Sequence, residues 1–291
     1  MCDQHFEEDL EKYTRQPAMS RRQFGALSIG VGMAMLLPRA ADALDVKESD
    51  VSVKTPDGVA DGYFVHPASG AHAGVVIWPD ILGLRPAFRQ MGKRLAESGY
   101  SVLVVNPFYR QKRAPVVPAG ASFADEATRN MVMPLAQALN ATTHATDAKA
   151  FVAFLDSQAA VDKNRKIGTT GYCMGGPIVM RTAAAVPGRV GAGASFHGGG
   201  LVTKAPDSPH LLVPTMKAQF LFAVAENDDQ REPDAKNVLK ETFAKAGLSA
   251  EIEVYAGAAH GWCPPDSSVY NQAQAERAWS RLLVLFGKAL A

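Results

Sequence analysis

A chain of 291 residues with 47% hydrophobic content can bury a large core, and its composition excludes the disordered and disulfide-scaffold classes. The formal net charge of +1 gives no basic surface for nucleic acid or an anionic membrane. Small neutral or modestly charged partners suit such a balance, and the sequence has no internal repeat at solenoid spacing.

The first predicted element is a leader. Ser20-Arg21-Arg22-Gln23-Phe24, the apolar run Ala26 to Leu37 and Ala41-Asp42-Ala43 together resemble a twin-arginine export signal with a small-residue cleavage site. Twelve apolar residues at about 1.5 Å each cannot cross a hydrocarbon core of about 30 Å, so no stable membrane anchoring is expected. The reading divides the chain into a signal peptide over 1–43, recognised by the twin-arginine machinery, and a periplasmic or otherwise exported domain over 44–291. Cys2 leaves with the leader, and Cys173 and Cys263 remain. Two cysteines in an exported protein suggest a bridge; the reading adopted keeps Cys173 mostly free, with an occasional oxidised form bridged to Cys263.

From about Val51, strand-length apolar runs alternate with amphipathic stretches, which predicts an α/β fold with a mostly parallel central sheet and helices on both faces. Val51 to Thr55 and Gly62 to His66, split by Pro56-Asp57-Gly58, predict an opening hairpin. Gly74 to Trp78 and Ser101 to Val105 read as buried strands, and Pro86 to Ser98 between them as a helix closed by Gly99. Gln111 to Asn140, with Pro115, Pro118, Gly120 and Pro134, fits no core element and is read as a cover over an active-site mouth. Helices are predicted for His144 to Ser157 and Val269 to Leu290, the latter with Ala275, Ala278, Trp279, Leu282, Leu283 and Phe286 on a sheet-packing stripe.

The chemistry centres on Gly171-Tyr172-Cys173-Met174-Gly175-Gly176, which follows the strand-like run Lys166 to Thr170. This is the nucleophile elbow G-x-S-x-G with sulfur in place of oxygen; its glycines let strand and helix close tightly while the central residue is lifted into the open. Two further strand-like runs, Gln219 to Ala225 and Ala250 to Tyr255, lead into Glu226-Asn227-Asp228-Asp229 and Gly257-Ala258-Ala259-His260-Gly261. Nucleophile, acid, histidine is the order of the α/β-hydrolase fold. A thiol with an ordinary pKa of about 8.5 needs a base or a cation beside it, and His260 can be both. Asp228 is assigned to orient the imidazole, with Asp229 as its nearest competitor. The backbone N–H groups of Met174 and Ile81 are assigned to the oxyanion hole.

Together with Trp78-Pro79-Asp80-Ile81-Leu82-Gly83, Arg94 to Tyr100 and Ala259-His260-Gly261-Trp262, these residues resemble the dienelactone hydrolases, from Val51 to the last helix. The resemblance implies a monomeric hydrolase without metal or other cofactor, opening a small lactone or activated ester through a cysteine acyl-enzyme. It assigns Asp80 to the position of a glutamate that modulates the thiol. After the histidine, Trp262-Cys263-Pro264-Pro265 replaces an expected carboxylate-binding arginine. Arg110 matches a position that contacts substrate, and Tyr109, His197 and Trp262 are further candidates for substrate contact. Two other functions stay open at this stage: a non-catalytic binding protein on the same fold, and a thiol redox protein using Cys173 with Cys263.

Overall fold

The structure is a computed structural model that describes residues 12–13 and 43–291. The export-signal reading therefore lies outside the described residues, apart from Lys12, Tyr13 and Ala43.

Eight strands form one sheet in the order β1-β2-β4-β3-β5-β6-β7-β8. β1 (Val46–Thr55) and β2 (Gly58–Pro67) form an antiparallel hairpin in which Thr55 faces Gly58. β2 pairs antiparallel with β4 (Tyr100–Val105), and every pairing beyond it is parallel, through β3 (Ala73–Trp78), β5 (Ile167–Tyr172), β6 (Val190–Phe196), β7 (Gln219–Ala225) and β8 (Ala250–Tyr255). β3, β4 and β5 are buried along their whole length, because helices cover both faces of a parallel sheet, and this is why β3 and β4 read as runs that are apolar but for Ser101.

On one face, α1 (Pro86–Glu97) and α7 (Gln272–Ala289) bury Phe88, Leu95, Leu282 and Phe286. Each of these side chains contributes about 1.5–3 kcal/mol relative to exposure. On the other face, α3 (Ala141–Ser157), α4 (Gly175–Ala185) and α6 (Ala235–Lys245) contribute Phe151, Leu155, Val179 and Phe243. The short α5 (Glu226–Arg231) follows β7 directly, and Tyr13 donates to the Glu226 carboxylate at 2.9 Å.

Three expectations change in detail. The hairpin strands are about twice as long as predicted, since pairing continues to Val46 opposite Pro67. The segment 111–140 contains a helix, α2 (Glu126–Gln137), in which Thr128, Val132 and Leu135 are buried and Pro134 falls in the last turn. There its missing N–H removes one bond near a helix end instead of breaking the middle. The last helix begins three residues later than predicted, because Ser267 accepts the Tyr270 N–H in a turn and Asn271 then caps the helix by accepting from Gln274.

His144 gives this fold an acid sensitivity. Its Nδ1 accepts from Arg181 Nη1 at 3.2 Å, since a guanidinium can only donate, so the ring is neutral. Burial, reinforced by the charges of Arg181 and Arg110, pushes its pKa down to about 3. An unfolded histidine binds its proton near pH 6.5, so between about pH 6.5 and 3 the unfolded chain takes up a proton that the native state refuses. Stability from this residue is therefore complete above pH 6.5 and declines as pH falls, by about 1.4 kcal/mol per unit. His144→Asn keeps an acceptor for Arg181 and removes the titration. Urea unfolding at pH 6.5, 5.5 and 4.5 should show a shallower pH slope for the variant than for the wild type; equal slopes would contradict the assignment.

Candidate active site

β5 ends at Tyr172 and α4 begins at Gly175, so only Cys173 and Met174 make the turn. Cys173 takes φ 52, a left-handed conformation that costs a side-chain-bearing residue about 1–2 kcal/mol and needs enforcement by its surroundings. The two glycines of the elbow have the steric role expected of them. A Cβ on Gly171 would stand 2.2 Å from the Gly175 carbonyl oxygen, and one on Gly175 would stand 2.3 Å from the Trp78 carbonyl oxygen. The second contact presses the loop after β3, which carries Ile81, against the elbow. The Cys173 N–H is shared between the Phe196 carbonyl and His197 Nδ1, both at 3.1 Å.

His260 sits in the loop after β8 and is fixed from two sides. Its N–H donates to Asn227 Oδ1 at 2.8 Å, and its Nδ1 bonds Asp228 Oδ2 at 2.7 Å. Asp229, the competitor, turns to Lys236 at 2.5 Å instead. Burial of the imidazole disfavours its cation, but the charge of Asp228, the neighbouring Cys173 and the hydrogen bond to Asp228 outweigh it, holding the His260 pKa well above the ordinary histidine range. Nε2 itself is buried and has no partner at ordinary hydrogen-bond geometry, which leaves it the unengaged nitrogen of the pair.

Asp80 does something other than the sequence suggests. Its Oδ1 accepts from Arg85 Nη1 at 2.6 Å and from the Leu82 N–H at 2.9 Å, and its Oδ2 accepts from Arg85 Nη2 at 3.0 Å. Arg85 then reaches Asp266 through Nε at 2.7 Å and Nη2 at 2.9 Å. Assigned to the thiol by resemblance, Asp80 instead braces the loop that carries Ile81 and ties it to the loop after His260. Desolvation opposes the buried Arg85 charge, yet the two aspartates raise its pKa above the usual value. The side chains of Ile81 and Met174 pack against Phe108, Val116 and Val132, so the segment 111–140 does lie against the elbow.

The candidates for substrate contact have partners within the fold. Arg110 grips Asp147 with Nη1 at 2.8 Å and Nη2 at 2.7 Å, and Asp57 with Nη2 at 2.6 Å. Tyr109 donates to Asp147 at 2.8 Å. Asp147 is only 1% exposed, and burial raises its pKa against the lowering effect of Arg110 and Tyr109. The pair serves a buried carboxylate network joining the hairpin turn to α3. His197 and Trp262 are both 0% exposed, with ring centroids 5.2 Å from His197 to His260 and 5.0 Å from His197 to Trp262. Trp262 also stacks on Tyr255 at 5.3 Å.

Both Cys173 and Cys263 are free thiols. Cys263 lies in the apolar cluster beneath α7, where burial pushes its pKa well up. A cavity of 20 Å³, room for one water, lies against Cys263, Tyr172, Phe196 and Leu282 and has neither Cys173 nor His260 in its wall. Sequence reasoning missed Asn227, Arg85 and Asp266. Asn227 directly precedes the acid and could have been noticed; Arg85 and Asp266 are 181 positions apart and carry no local signal.

An eight-stranded, mostly parallel sheet with an elbow after β5, an acid after β7 and a histidine after β8 defines the α/β-hydrolase class. Residues 60–290 match the model of the dienelactone hydrolase family, and the chain belongs to that family. A Methylorubrum extorquens protein provisionally named carboxymethylenebutenolidase is 28% identical over 288 residues, covering 95% of this chain and 96% of its own. The carboxymethylenebutenolidase of Rhodococcus opacus is 25% identical over 78% of this chain and 86% of its own. Among solved structures, one provisionally named dienelactone hydrolase from Klebsiella pneumoniae superposes with a TM-score of 0.72 at 19% identity, covering 84% of this chain and 99% of its own. The chain is a dienelactone-hydrolase-like hydrolase.

Proposed function

We propose that the protein hydrolyses a small lactone or activated carboxylic ester through an acyl-enzyme on Cys173, with His260 as base and Asp228 as the orienting acid. The observation that carries this reading is the 2.7 Å bond from Asp228 to His260 Nδ1, which leaves Nε2 as the nitrogen available to take the Cys173 thiol proton. Sγ attacks the carbonyl carbon as its proton passes to Nε2, and the negative charge on the carbonyl oxygen is met by the N–H groups of Met174 and Ile81. Collapse breaks the C–O bond to the leaving alcohol, which takes the proton from Nε2; in a lactone that alcohol stays tethered to the acyl group. Water then gives its proton to Nε2 and adds to the thioester. The tetrahedral adduct expels the Cys173 sulfur, which recovers a proton, and the carboxylic acid leaves.

Arg85 and Arg110 each hold two aspartates, so a carboxylate on the substrate would have to displace Asp266 or Asp57 to reach either one. This favours neutral lactones and esters over dianionic ones. No cofactor enters the scheme. The twin-arginine pattern before Leu44 supports an exported, periplasmic enzyme, and the family resemblance implies that it acts as a monomer.

A panel of lactones, aryl esters and thioesters tests the reaction class. At least one neutral lactone or aryl ester should turn over after a stoichiometric burst, and one equivalent of iodoacetamide on Cys173 should abolish the turnover while Cys263 stays unlabelled. Unimpaired turnover by the labelled protein would overturn the proposal.

A further inference from the structure

Among the described residues, two that are not glycine adopt a left-handed backbone: Cys173 at φ 52 and His197 at φ 41. They are bonded to each other. The Cys173 N–H donates to His197 Nδ1 at 3.1 Å, so that nitrogen carries a lone pair and the ring proton sits on Nε2. The ring is fully buried, Nε2 has no partner, and its edge contacts are to aromatic and imidazole rings, those of His260 at 5.2 Å and Trp262 at 5.0 Å between centroids. Burial first, and then the neighbouring His260, drive the His197 pKa well down, in keeping with a ring that stays neutral.

The backbone around His197 is pressed into this position. A Cβ on Gly198 would stand 3.1 Å from Gly176 Cα and 2.4 Å from Ser195 Oγ, so the loop after β6 lies directly on the first turn of α4. The His197 N–H is itself tied to the Ala223 carbonyl of β7 at 2.9 Å. The ring thus stands on the sheet and reaches up to the peptide of the nucleophile.

We propose that His197 is a positioning residue whose Nδ1 accepts the Cys173 N–H and thereby holds the nucleophile in the strained turn that presents Sγ to His260. This rests on Cys173 being the nucleophile, and it goes further in giving the elbow a second support besides its glycines. Without that acceptor the N–H keeps only the Phe196 carbonyl, and the strain at Cys173 has less to oppose it.

His197→Asn and His197→Gly both tolerate a positive φ, but only asparagine offers an acceptor, Oδ1, at the position of Nδ1. The glycine variant should lose kcat by about tenfold to a hundredfold with KM unchanged, and the asparagine variant should recover most of that loss. The rate of Cys173 alkylation by iodoacetamide should follow the same order. Because alkylation needs no ester, that order would persist even if the hydrolytic reading failed. Equal impairment of both variants in both assays, or a glycine variant as fast as the wild type, would overturn the proposal. Should the glycine variant fail to fold, nitrogen NMR of the wild-type protein decides: a protonated Nε2 and bare Nδ1 on His197 are expected, and a proton on Nδ1 would contradict the assignment.

Discussion

Cys173→Ala is expected to lower kcat for an activated ester by about ten-thousandfold or more while leaving the melting transition close to that of the wild type. The substitution removes only the sulfur, and the turn that holds residue 173 is made by other groups: the Phe196 carbonyl, His197 Nδ1 and the tight contact of Gly175 with the Trp78 carbonyl. Cys173→Ser should also be severely impaired, because a hydroxyl ionises far less readily than a thiol and gives up its proton to His260 less easily. Steady-state hydrolysis of an aryl ester, with circular dichroism to confirm the fold, checks both. Wild-type turnover by the alanine variant would move the nucleophile elsewhere.

Arg85→Ala is expected to destabilise the protein by about 3–5 kcal/mol, since it strips a buried carboxylate of its bidentate partner. Asp80 is 9% exposed and Arg85 7%, so water cannot take over the contact without opening the loop. The Leu82 N–H alone would remain on Asp80, and the loop after β3 would lose its tie to Asp266. Arg85→Lys should recover little, because an ammonium cannot serve both carboxylates through a fork. Combining Arg85→Ala with Asp80→Asn removes the orphaned charge and should restore part of the stability. Urea unfolding measures all three; a loss below about 1 kcal/mol for Arg85→Ala would contradict a buried, mutually dependent pair.

The elbow and the order of its partners were legible in the sequence because they are local. Gly171 and Gly175 flank Cys173 at fixed spacing, and Asp228 and His260 each come a few residues after a strand-like run, Asp228 in the short α5 and His260 in the loop after β8. The fold class was legible for the same reason: β3 and β4 are short segments that are apolar but for Ser101, and α1 between them has its proline at the start and a left-handed glycine just past its end. What the sequence did not disclose was partner choice over long separations. Asp80 could have faced the thiol, but Arg85 lies within reach on its own loop and Asp266 arrives from 181 residues away to share it. Arg110 could have faced solvent or substrate, but Asp147, 37 residues on, is buried and needs a cation. His197 could have pointed to the mouth; its inward turn depends on a positive φ that no pattern of neighbouring residues announces for a histidine. The cover segment concealed α2 because Pro134 reads as a breaker until its place in the last turn is known.

The hydrolytic mechanism depends most on one covalent bond. Mixing the protein with an activated ester, quenching in acid during the burst and mapping the peptides by mass spectrometry should find a single acyl group on the peptide that carries Cys173, formed more slowly in His260→Ala. An acyl group on another residue, or sustained turnover with no adduct at any quench time, would contradict it.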